Sequence, residues 1–390
     1  MKVVMTMMVR DEADIIAAMI EHHLAQGVDL IIATDNASVD GTTEILSAYQ
    51  GAGILELHHD PIHRKQQHEV VTKMARRAFA EHNADWVLNA DADEFWFATN
   101  RSNRLVDALA ELPSEVDAVT VPVVNLVGPP AYSGNGVRRL VWRDQRSIEQ
   151  LLTVGLFAHP TSDTFHRGRA DVTVAQGNHF VQAERSVQVT SDSIEVLHLP
   201  WRSYEQLERK VINAGLAYAA NPDLQPSPNH HGMMDYRSYQ QERLLHSYVL
   251  RHPTASEIEA GIPLDRYRLE TSIPEALTLL GDNAIRPDLL FPILDPTNDH
   301  AITAVEVEKL RPLALQFAAI DRERNETVQE LQDRRRRAVR ARKRAVQARK
   351  QARRELRKIK RSRAYRLSRR AASFLPSKLT ASGQRDRNRF

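Results

Sequence analysis

The chain has 390 residues, is 42% apolar and carries a formal net charge of +3, which suits one large core or two domains and excludes wholesale disorder. It contains no cysteine, so disulfide frameworks and thiolate metal sites are excluded and any metal ligands must be carboxylate or imidazole. The charge is uneven: residues 334–370 hold 20 of the 53 Lys and Arg with Glu355 as their sole acid, leaving 33 basic against 49 acidic side chains elsewhere, an acidic body with a basic tail.

Along the chain the first 125 residues alternate between the two hydrophobic periods. KVVMTMMV (2–9) reads as a buried strand, and Ile15, Ile16, Met19, Ile20 and Leu24 mark one face of a helix. VDLIIAT (28–34) is a second strand, followed by the turn-rich DNASVDGT and a helix through Ile45, Leu46 and Tyr49. GILELHH (53–59) is a third strand, and a helix over 65–82 leads to a fourth, DWVLNA (85–90). Near-continuous apolar strands alternating with helices predict an α/β fold, a doubly wound and mostly parallel sheet with helices on both faces. Ligands bind such sheets at the carboxyl ends of their strands. The polar groups RDE (10–12), DN (35–36) and DADE (91–94) each follow a strand, so they are expected to meet on one edge.

Beyond residue 115, VDAVTVPVVNLVG (116–128) is strand-like, a strand ends at His198 and a helix starts near Ser203. Residues 221–300 hold nine of the 18 prolines and read as short helices joined by turns, and from about 302 to 372 the pattern is helical. The expected organisation is a catalytic domain over 1–220, a helical extension over 221–318, a basic helix or weak coiled coil over 319–372 and a flexible end over 373–390. The opening MKVVMTMMVRDE reaches charge too soon for a signal-peptide core, and no apolar run of about 18 residues occurs. A cytoplasmic location is expected.

Asp91 and Asp93 lie two apart, and an extended backbone would point both carboxylates the same way, toward one cation or one diphosphate–metal unit. Hard oxygen ligands suit Mg²⁺ or Mn²⁺. The bland alternative, acids that cap the next segment or sit in solvent, stays open for an isolated Asp-x-Asp. Three segments narrow the choice: MMVRDEADIIAAMIEHHLAQGVDLIIATDNASVDGT (7–42), ADWVLNADADEFW (84–96) and VLHLPWRSYEQLERK (196–210). With these, residues 1–215 resemble the family-2-like glycosyltransferases of GT-A fold, in the subgroup with a DADEF metal motif.

That resemblance implies a nucleotide pocket at Val9, Arg10, Asp11 and Glu12 with Asp35 and Asn36, Asp91 and Asp93 as the metal-holding pair on a sugar-nucleotide diphosphate, and His198 as a late metal ligand. Asp91 would also border the nucleotide, and Lys65 could pair with a phosphate. It implies an inverting displacement in which a base deprotonates the acceptor hydroxyl. The acidic pair that typical members supply for this role after the metal motif is missing, which leaves Asp163, Asp171 and His179, with His179 preferred. Arg167 or Arg169 could contact an anionic ligand. The expected activity is metal-dependent transfer of a sugar from a nucleotide-sugar to a glycan or lipid-linked acceptor. A nucleotidyltransferase shares the architecture, but VRDEAD has no glycine where such enzymes carry a glycine-rich loop. A non-catalytic basic scaffold or nucleic-acid binder is the rival outside enzymology.

In the tail, RAVRARK (337–343) repeats as RAVQARK (344–350), and Ala338, Ala341, Ala345, Ala348 and Ala352 form a narrow helical stripe. A solvated helix, self-association through the stripe, and docking of 334–379 on an anionic membrane surface all fit. Tyr365, Leu367, Phe374 and Leu375 would be the membrane anchors, putting the protein on the inner membrane face. Nucleic acid is disfavoured, because no base-reading module accompanies the basic helix.

Overall fold

The computed structural model describes residues 1–62, 66–220 and 231–372. The chain divides into two compact units, Met1–Glu323 and Arg324–Phe390.

The first unit is built on two sheets. In the larger one, β1 (Val3–Val9), β2 (Leu30–Asp35), β3 (Leu55–His59) and β4 (Trp86–Asn89) run parallel in the order β3-β2-β1-β4. Val4 lies opposite Leu30 and Val3 opposite Trp86. Nearly every residue of β1 is buried because helices cover both faces. Met5 and Met7 pack with Ile16 and Met19 of α1 (Ile16–Ala25) and with Leu46 and Tyr49 of α2 (Thr42–Gly51). Val4 packs on the other face with Val71, Met74 and Ala78 of α3 (Gln67–Ala80). The strand alternation thus supplies two cores from one strand. Beyond β4 the sheet continues with an antiparallel strand, Asp163–Arg167.

The segment 116–128 is two strands rather than the single one expected. Ala118–Val121 pairs with Asp163–Arg167 in the first sheet, while Val123–Val127 joins a second, five-stranded sheet. Pro122 divides them; having no N–H to add to a ladder, it gives only its carbonyl, which accepts from Val196 N–H at 2.9 Å. The chain makes the same crossing between β4 and β5 (Glu94–Ala98), which pairs antiparallel with Ile194–His198 in the second sheet. The DADEF segment is therefore the bridge between the sheets.

The helix Tyr204–Ala219 starts where expected, with the Ser203 hydroxyl accepting from Gln206 N–H. Residues 231–303 add short helices to the same unit, which also takes in the start of a 58-residue helix, Ala304–Arg361. Glu21 of α1 fastens one of them, accepting from Ile285 N–H and Arg286 N–H at 2.9 and 2.7 Å just before the helix Pro287–Leu294. In the second unit the backbone is helical through Arg361 and again over Arg363–Ala372. None of its side chains among the described residues is buried. No helix among the described residues is long and apolar enough to cross a membrane. Lys65 and the proposed anchors Phe374 and Leu375 lie outside the described residues.

Candidate active site

Strand β4 ends at Asn89, whose side-chain oxygen accepts from the Thr6 hydroxyl at 2.8 Å. The chain then turns rather than running on extended. Glu94 N–H donates to the Asp91 carbonyl at 3.2 Å, and Asp91 N–H donates to the Glu94 carboxylate at 2.9 Å. The turn corrects the expectation that the two aspartates point one way, and their carboxylates have different neighbours. Asp91 Oδ1 accepts from the amides of Gln67 and Asn178 at 2.9 and 3.1 Å. Asp93 is buried; its Oδ2 accepts from Lys210 at 2.7 Å and lies 3.5 Å from Arg202, while its Oδ1 lies 3.6 Å from His198 Nε2. Burial alone would raise the Asp93 pKa, but Lys210, His198 and Arg202 outweigh it and hold the carboxylate well below its usual range. Glu94 behaves oppositely: burial, with Asp163 and Asp91 nearby, pushes it well above that range.

Arg202 is the hub. It is fully buried, gripping Asp14 with two bonds of 2.7 and 3.0 Å and pairing with Glu12. It thereby ties the loop after β1 to the motif turn. Burial raises the Glu12 pKa and Arg202 pulls it back, leaving it at about 7, with Asp93 adding to the rise. Lys210 and Asn213 are one turn apart on the helix Tyr204–Ala219, and Asn213 donates to Asp11 at 2.8 Å.

On the Asp91 side, the QGNHF loop (176–180) supplies a histidine–carboxylate dyad. His179 Nδ1–H donates to the wholly buried Asp163 at 2.8 Å, which fixes the tautomer and leaves Nε2 as the basic atom. Burial works to lower the His179 pKa, but the hydrogen bond and charge of Asp163, with Asp91 adding, raise it above the ordinary 6.5. Gly177, at φ +80°, keeps Nε2 clear, since a Cβ there would lie 2.9 Å from it. Asn178 N–H₂ reaches Asp91 from the same loop, so the dyad and the motif turn are adjacent.

The loops after β1 and β2 meet as the strand order predicts. Arg10 donates to the Asn36 carbonyl, Asn36 N–H to the Val9 carbonyl, and Val39 N–H to Asp11. Within this edge Asp35 accepts from Ser38 and Thr43, and the Asn36 amide donates to the carbonyls of Asp60 and Ile62. Arg167 and Arg169 do not serve the site. Arg167 lies 4.0 Å over the Trp86 ring and donates to the Val116 carbonyl, while Arg169 pairs with Asp171 and Asp117. That pairing also removes Asp171 from the base candidates.

Among the described residues no three carboxylate or imidazole side chains converge as metal ligands, so Asp91, Asp93 and His198 are not a ready-made triad. Asp93 and His198 nevertheless fit a hard divalent cation as a pair. His198 Nδ1–H donates to Asn125 Oδ1 at 2.9 Å, which leaves Nε2 facing Asp93 Oδ1 at 3.6 Å, where a neutral imidazole can serve as a metal ligand. Mg²⁺ and Mn²⁺ accept few protein ligands and complete their shell with water and phosphate. Sequence reasoning took only His198 from the 196–210 segment and missed Arg202, Lys210, Asn125, Gln67 and Asn178. The available signal was a basic pair inside that segment, but Arg202 meets Glu12 across 190 positions, and spacing carries no information at that range.

Residues 3–120 match the sequence profile of glycosyltransferase family 92. No curated protein matches the chain. Among solved structures, S. aureus TarS 1–349 in complex with UDP-GlcNAc is 14% identical, over 85% of this chain and 91% of that one, with a TM-score of 0.35. Glucosyl-3-phosphoglycerate synthase from Mycobacterium tuberculosis, in complex with Mn²⁺, UDP and glucosyl-3-phosphoglycerate, is 16% identical over 58% and 81%, with a TM-score of 0.30. Likenesses this loose carry no argument about the reaction.

Proposed function

We propose that the protein is a glycosyltransferase that moves a sugar from a nucleotide-sugar donor to an acceptor hydroxyl with inversion. The observation that carries this reading is the motif turn at the strand edge, with Asp93 and His198 on one side and the His179–Asp163 dyad on the other. The match of residues 3–120 to a glycosyltransferase profile supports it. The loops holding Val9, Arg10, Glu12, Asp35 and Asn36 would enclose the nucleotide.

Asp93 and His198 would hold a Mn²⁺ or Mg²⁺ ion, which as a Lewis acid neutralises charge on a diphosphate. His179 Nε2 takes the proton of the acceptor hydroxyl, and Asp163 stabilises the resulting imidazolium. The acceptor oxygen attacks the anomeric carbon opposite the diphosphate, and the electron pair of the breaking C–O bond passes to the β-phosphate oxygen. A glycan or lipid-linked acceptor fits a tail of 20 basic residues over 334–370 that docks on an anionic membrane surface. The alanine stripe of 338–352 lies on an exposed stretch of helix and offers weaker support for self-association, since such a stripe buries little area.

The test is thermal stabilisation by UDP, GDP and dTDP with and without Mn²⁺, beside Asp93→Asn. A nucleotide at about 100 times its dissociation constant adds roughly 2.7 kcal/mol to the native state. One nucleotide should stabilise the wild type in a metal-dependent way that the variant loses. No shift with any nucleotide would remove the reading.

A further inference from the structure

Lys210 has no part in the reading above, yet it is the cation best placed to meet a ligand. Arg202 is fully buried, with its bonds directed to Asp14 and Glu12. Lys210, in contrast, has a side chain that is 46% exposed, lying over an Asp93 carboxylate that is 2% exposed. An ammonium has three N–H donors. Among the described residues Lys210 gives one hydrogen bond, to Asp93 Oδ2 at 2.7 Å. That oxygen is the one turned away from His198, which faces Oδ1. The helix carrying Lys210 is anchored to the loop after β1 through Asn213 and Asp11, so the ammonium has a fixed station between that loop and the motif turn.

We propose that Lys210 binds the donor's diphosphate directly, donating to the β-phosphate oxygen that receives the electron pair when the anomeric C–O bond breaks. Asp93 orients the lysine, and the two remaining N–H groups are the ones offered to phosphate. A lysine acts there as a compact point charge. The inference rests on the nucleotide-sugar reading of the same site.

The experiment titrates the full-length wild type, Lys210→Met and Lys210→Arg with UDP, GDP and dTDP, and with the monophosphate of whichever base binds, in the presence of Mn²⁺. The β-phosphate is the only difference between the paired ligands. Lys210→Met should weaken the diphosphate by about tenfold or more, the size of a charge-assisted hydrogen bond, and leave the monophosphate unchanged. Lys210→Arg should keep most of the affinity. Equal weakening of both ligands would mark a structural role and overturn the proposal, as would an unchanged diphosphate affinity. If Lys210→Met fails to fold, Lys210→Gln makes the same comparison. If the wild type binds no nucleotide, the reading of the site falls and takes this inference with it; wild-type binding that ignores Lys210 sinks the inference alone.

Discussion

Replacing Arg202 with methionine tests whether the site is held together by charge. The guanidinium is fully buried, bonded to Asp14 and Glu12 and 3.5 Å from Asp93. Methionine fills similar space but leaves three carboxylates facing one another with only Lys210 as counter-charge. Removing one partner of a buried ion pair costs about 3–5 kcal/mol. The unit Met1–Glu323 has an unfolding entropy of roughly 0.7 kcal/mol/K at the usual value per residue, so the melting temperature should fall by about 4–7 °C. The deficit should depend on pH. Burial already lifts the Glu12 pKa to about 7 against the pull of Arg202, and without that pull it rises further. At pH 6 Glu12 is then neutral and the repulsion is reduced, so the deficit should be smaller at pH 6 than at pH 8. Scanning calorimetry of both proteins across that range measures it. A shift below about 1 °C, or a larger deficit at acid pH, would refute the reasoning.

Glu12 also makes a prediction of its own. With a folded pKa of about 7 against an ordinary 4.5, it contributes stability that is complete below pH 4.5 and lost as pH rises through 7. Glu12→Gln should flatten that part of the stability–pH curve, as urea titrations at pH 5, 6 and 8 would record; an unchanged slope counts against the buried acid. Asp163→Asn withdraws the hydrogen bond and charge that raise His179. If His179 is the base, the acid limb of the kcat/KM profile should move to lower pH while maximal rate falls; a stationary limb would assign the base elsewhere. For the tail, full-length protein should sediment with anionic phospholipid vesicles and be released by about 0.5 M salt, as screening predicts, while a chain ending at Glu323 should stay in solution. Equal binding to neutral vesicles would discard the electrostatic account.

The strands, helices and strand-end polar groups of residues 1–90 were legible because each depends on local periodicity, whereas the strand Glu94–Ala98 was not foreseen. VVMTMMV can be satisfied only by burial on both faces, and Ser203 announces its helix by capping chemistry. The candidate site was half legible. Asp91, Asp93, His198 and His179 stand in recognisable stretches, yet the pairings do not show there: Asn125 with His198, Asp163 with His179, and Arg202 with Glu12 and Asp14 are all joined through space. The sequence by itself determined the alternating layers, the acidic body with its basic tail, and the edge of the sheet where polar residues collect, since periodicity and composition act over a few neighbouring positions. Only the tertiary structure decided that the DADEF segment turns between two sheets and sends Asp91 and Asp93 to different partners. It also decided that Arg202 and Lys210 balance Asp93 and the acids Glu12 and Asp14, because burying several carboxylates together needs counter-charges that the fold brings from distant parts of the chain.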